Sequence, residues 1–169
     1  MSIPVEISEY PNVAERAAAL GCRVPTGVAL LPGNFDTAKT RQELLFEGKI
    51  SPLRELWRKA NVVETPIEPP GEDIWCVGYK DFDLVVPTIF IGFSLLSQNQ
   101  AMVSIALNVI SNYLTDWFKG LGPGTKQVAE VNVVVETPKK TCKHVHYKGP
   151  VEGLEELPDI LRAAGMDEK

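Results

Sequence analysis

At 169 residues, with 44% hydrophobic and 23% charged positions, the chain has the composition of one ordinary globular domain long enough to bury a core. Its 17 basic and 22 acidic side chains give a net charge of −5, which removes the electrostatic case for nucleic acid. Three widely spaced cysteines, Cys22, Cys76 and Cys142, argue against a disulfide framework and for a reducing, cytoplasmic setting.

The N-terminal MSIPVEISEY has neither the basic nor the apolar region of a secretory signal. Ile3, Val5 and Ile7 alternate with polar neighbours and predict a short strand. Asn12 with Glu15 three residues on has the form of a capping box. It opens a helix whose stripe is Val13, Ala17 and Leu20 and whose end is Gly21. Thr26 to Pro32 is a continuous apolar run, the pattern of a strand covered on both faces. Pro32, Gly33 and Asn34 turn the chain. A helix is expected over Thr37–Glu47. Another starts at Ser51-Pro52, with Leu53, Leu56, Trp57 and Ala60 on its buried side. The Pro-rich loop 65–71 is the one candidate boundary. Neither side of it is long enough for a separate unit, so 1–169 reads as a single domain. Ile74–Tyr79 reads as a strand, joined by a turn at Lys80-Asp81 to the longest apolar passage of the chain.

That passage runs from Asp83 to Gly120 and carries charge only at its ends. Its first part, 84–96, suits a buried strand or a helix beginning at Pro87, and periodicity does not separate them. From Gln100 to Gly120 the apolar positions recur at helical spacing, ending in Lys119 and Gly120, a sound helix terminus. A membrane span needs about 20 predominantly apolar residues. Ser97 to Gln100 interrupts the run and the helix itself carries Asn108, Asn112 and Asp116, so a buried central helix is expected instead. After a Gly- and Pro-rich loop at 120–124, Val131, Val133 and Val135 alternate in one strand. Thr137 to Lys140 turns, and Thr141–Lys148 returns as the second arm of an antiparallel hairpin. A helix bearing Leu154, Leu157 and Leu161 ends the chain. The sum is an α/β or α+β fold: a single mixed sheet of about five strands, a C-terminal antiparallel hairpin, and helices packed around one long buried central helix.

Three places could carry function. Gly33 to Thr40 follows a strand and has the outline of a phosphate-binding loop, with Lys39 to reach a phosphate and Thr40 to hold magnesium. Ala38 stands where the pattern GxxxxGK[ST] has its second glycine. Pro32, Gly33, Asn34, Phe35 and Asp36 also resemble the opening of the nucleotidyltransferase signature PGxFDPxTxGH. The rest of that signature falls on Lys39, Thr40, Arg41 and Gln42, without its glycine and histidine, so no activity is carried over. On the hairpin, Cys142, His144 and His146 share one face of a strand and are the right types for zinc. Whether Glu130 or Glu136 joins them depends on the length of the turn, because a four-residue turn sets the histidines opposite Val131 and Val133 instead. On the central helix, the uncharged stripe Ser104, Asn108, Ser111, Asn112 and Thr115 suits a second protein surface. Trp57, Trp75 and Trp117 read as core.

The expected function is a non-catalytic interaction or accessory module without cofactor. Its partner is protein, a homo-oligomer formed through the central helix or a sheet edge, rather than nucleic acid or membrane. The rival reading is a metal-dependent hydrolase with a zinc-bound water at Cys142, His144 and His146. A third is nucleotide binding at Gly33, Lys39 and Thr40.

Overall fold

In the computed structural model, residues 5–47, 50–72, 74–77, 86–119 and 128–166 are described. The fold is mixed α/β, built on one five-stranded sheet in the order β1-β7-β6-β5-β2. Its strands are β1 (Val5–Tyr10), β2 (Val28–Leu31), β5 (Thr88–Ile91), β6 (Val128–Glu136) and β7 (Cys142–Pro150). β1 runs antiparallel to β7, β7 to β6, and β2 to β5, while β5 and β6 are parallel. A parallel pair needs a crossover. The long apolar passage supplies it as α3 (Phe93–Gln98) and α4 (Gln100–Lys119). Of the segment 84–96, the described residues 86–96 therefore hold both things the periodicity allowed, strand and then helix, with Gly92 between them. A second, two-stranded parallel sheet pairs β3 (Leu45–Glu47) with β4 (Trp75–Val77). The expected turn at Lys80-Asp81 and loop at 120–124 lie outside the described residues, as do the side chains of Trp75, Cys76 and Trp117.

The two faces of the sheet are covered differently. On β6, Ala129, Val131, Val133 and Val135 are all buried. Their face includes Tyr147, opposite Val131, whose ring lies against Gly153 of the 3-10 helix Val151–Glu156. That helix, α5 (Leu157–Met166) and α4 form the layer there, and α2 (Ser51–Lys59) joins it where the Trp57 indole N–H donates to the Ala106 carbonyl at 3.1 Å. On α4 the core side is Val103, Ala106, Leu107, Ile110 and Leu114. Ile105 is 42% exposed. Among the described residues the helix is packed on one side and exposed on the other.

The opposite face is covered only in part. α1 (Val13–Ala19) starts as the sequence predicts, the Asn12 carboxamide accepting from the Glu15 N–H at 3.0 Å. It lies over the turn end of the hairpin, where the Cys142 thiol bonds the backbone of Val13. Arg16 of α1 reaches across to the loop after β2. Its guanidinium donates to the Phe35 carbonyl at 3.1 and 2.7 Å and to the Ala38 carbonyl at 2.6 Å. These bonds, with Asn34 accepting from Leu45 N–H and donating to the Glu43 carbonyl, hold 33–40 as successive turns. The helix expected over Thr37–Glu47 is absent. Arg41–Glu43 is one 3-10 turn, and β3 follows. Long-range bonds to Arg16 and Asn34 override local helical preference there.

Candidate functional site

Among the described residues, the uncovered part of that second face is a polar patch around both histidines. The hairpin turn fixes its make-up. Thr137 N–H donates to the Thr141 carbonyl at 2.9 Å, the two threonine hydroxyls meet at 2.7 Å, and Lys140 takes a left-handed φ of 68°. Residues 137–141 thus separate the strands, and Glu136 pairs with Cys142. In this register His144 stands opposite Val134, His146 opposite Asn132, and Lys148 opposite Glu130. The histidines share their face with Glu130, Asn132 and the buried Val134, and not with Val131 and Val133, which point into the core.

Each imidazole is held by a β6 side chain. His144 Nε2 lies 2.8 Å from Asn132 Oδ1, and His146 Nε2 lies 3.0 Å from Glu130 Oε1. Both partner atoms are acceptors, so each neutral ring carries its proton on Nε2 and keeps its lone pair on Nδ1. Among the described residues neither Nδ1 makes a hydrogen bond. The ring centres are 6.3 Å apart with planes tilted by 41°. β1 forms the other wall. Ser8 faces His144, Glu6 faces His146, and Tyr10 stands edge-on to His144 at 6.0 Å. Glu6, Ile7, Ser8, Asn132, His144 and His146 enclose an open groove of about 580 Å³.

The electrostatics follow burial. Desolvation lowers the pKa of His144 below the ordinary imidazole value, and the neighbouring His146 acts in the same direction. Tyr10 is raised by burial and then by Asp36. The Cys142 thiol, 1% exposed beneath α1, is pushed up to about 11, chiefly by burial. It shares strand parity with the histidines, but α1 claims it. Among the described residues no three His, Cys, Asp or Glu side chains gather as a metal-holding group. The expected trio Cys142, His144 and His146 is reduced to the two histidines.

The other sequence candidates lie elsewhere. In the Gly33–Thr40 loop the amides of Phe35, Thr37 and Ala38 donate to the carbonyls of Pro32 and Asn34, and Lys39 N–H donates to the Glu43 carboxylate at 2.9 Å. A phosphate cradle needs such amides turned toward the ligand. On α4, Asn108 and Asn112 are exposed, while Ser104, Ser111 and Thr115 are half-buried and the Thr115 hydroxyl donates to the Ser111 carbonyl. No helix among the described residues is long and apolar enough to cross a membrane.

Asn132, Ser8, Glu6 and Tyr10 belong to the site and were not picked out from the sequence. Asn132 follows from the parity of β6 once the turn has five residues. The β1 residues carry no such signal, because nothing local says that β1 pairs with β7. Compared with known proteins, the chain matches no family model, no curated protein and no solved structure.

Proposed function

We propose that the protein is an interaction module that binds a second copy of itself by antiparallel pairing of the two β1 strands. The observation that carries this reading is β1: it is the terminal strand of the sheet, with no strand on its outer side among the described residues and with Ile7 52% exposed. An edge strand presents unpaired backbone donors and acceptors, a template for another strand. Pro11 closes the strand just after Tyr10, leaving an edge of six residues among those described.

The side chains select the register. Opposite residues of an antiparallel pair share a face, so a twofold pairing joins positions of like parity. Centred on Ile7, it sets Ile7 against Ile7, Glu6 against Ser8 and Val5 against Glu9, with no like charges opposed. Centred on Glu6 it opposes two carboxylates, which is unfavourable. Centred on Ser8 it places Ile7 against Glu9 and leaves the apolar side chain unmatched. The outer stripe of α4 supports association less well, because exposed asparagines are already satisfied by water.

One six-residue strand pair is small beside the roughly 1,200–2,000 Å² of a stable interface. Association is therefore concentration-dependent, and sedimentation velocity over a dilution series reads it. Ile7→Lys opposes two ammonium groups at the twofold and is expected to weaken the dimer about tenfold or more, some 1.4 kcal/mol. Asn108→Ala with Asn112→Ala should leave it unchanged. A dimer indifferent to Ile7→Lys and lost in the α4 variant would move the interface to the helix.

A further inference from the structure

Beyond that association, and independent of it, we propose that His144 and His146 chelate one divalent transition-metal ion through their Nδ1 atoms. The two rings project from alternate positions of a strand, so they leave one face together. Asn132 and Glu130 each hold an Nε2, which is how outer-shell acceptors orient histidine ligands and fix their tautomer. The lone pairs left over are both Nδ1, and neither is spent on a hydrogen bond among the described residues.

Distance agrees with the assignment. Metal–nitrogen bonds of about 2.0–2.1 Å put two imidazoles on one ion at ring separations of roughly 5–6 Å. The observed 6.3 Å is reached from there by a small side-chain rotation. Charge at the site is mixed. Glu6 faces His146 across the β1–β7 pair and Glu130 contacts its ring, while Lys148 stands opposite Glu130. Imidazole suits zinc, copper and nickel rather than magnesium or calcium. Two protein nitrogens leave the remaining positions on the ion to water or an incoming donor, and the open groove above the rings has room for them. Cys142 takes no part, since its thiol faces Val13 under α1.

Copper(II) alone, added to the full chain after dialysis against a chelator, tests this by electron paramagnetic resonance and titration. The expected result is one equivalent bound with two imidazole nitrogens in its coordination plane. His144→Asn or His146→Asn should remove one nitrogen each. Glu130→Gln should weaken binding about 10–100-fold while leaving both nitrogens in place, the behaviour of an outer-shell partner. Copper affinity should be the same at protein concentrations above and below the dissociation constant of the dimer, which separates this site from the β1 interface. Thermal unfolding of each variant without metal confirms that the fold is intact. A parent protein that binds no copper, or one whose copper spectrum survives the His144→Asn/His146→Asn double change, would overturn the proposal.

Discussion

At the residue scale, a few side chains hold segments that have no regular structure of their own. Arg16 is the clearest. Its guanidinium takes the carbonyls of Phe35 and Ala38, which lie in the turns of the loop after β2. Arg16→Ala would leave these carbonyls without their charged donor and is expected to cost about 2–3 kcal/mol in urea unfolding. Arg16→Lys should recover only part of it, because an ammonium cannot span both carbonyls as a planar fork does. His144 makes a prediction in pH. Its pKa is lowered in the folded protein by burial and by His146, so the unfolded chain binds the proton more readily. The stability this contributes is full above the unfolded imidazole value of about 6.5 and is lost as pH falls toward the lower folded value. In the presence of a chelator, the stability difference between the parent and His144→Asn should shrink as pH falls from about 7.5 to about 5.5. A difference that stays constant or grows would mean that the ring is not held neutral.

At the element scale, the chain was most legible where its signals were local. Asn12 caps α1, Pro52 sits in the first turn of α2, and the alternating valines of β6 form the hairpin arm they predict. Reading failed where a distant partner decided the outcome. The Thr37–Glu47 segment has helical residues, but Arg16, Asn34 and Glu43 bind its backbone into turns. The His144/His146 face was legible as parity, and its neighbours waited on one fact, the number of residues in the turn. The step from β5 to α3 is a further case. Gly92 reads as ordinary punctuation, yet the backbone packs against it so closely that an added Cβ would lie 2.2 Å from the Thr26 carbonyl oxygen. Its own N–H donates to Gly27 across the same contact. Gly92→Ala must push the end of β5 away from that segment, and a loss of about 3 kcal/mol is expected in chemical denaturation. A neutral effect would mean that the two segments separate at little cost.

At the scale of the whole molecule, the order β1-β7-β6-β5-β2 sets the first strand beside the last. The first strand closes on the last, so the histidine patch has a wall made of Glu6 and Ser8, and the sheet ends in an edge that bears Ile7. Sequence patterns predicted a mixed sheet of about five strands, but neither this order nor the second, two-stranded sheet, because pairing between distant strands is set by how the faces pack and not by any one segment. The patch and the edge are adjacent but separable. The histidines point out of the sheet plane, whereas pairing at β1 extends the sheet within its plane.

The register of β1 pairing is the central claim, and a single cysteine tests it most directly. In the pairing centred on Ile7, the two Cα atoms of residue 7 stand opposite each other at about 4.5–5.5 Å, within disulfide range. Under mild oxidation Ile7→Cys should form a covalent dimer well beyond the parent background, while Ser8→Cys, which then faces Glu6, should not. Equal crosslinking at both positions, or none at residue 7 where Asn112→Cys crosslinks readily, would contradict the account.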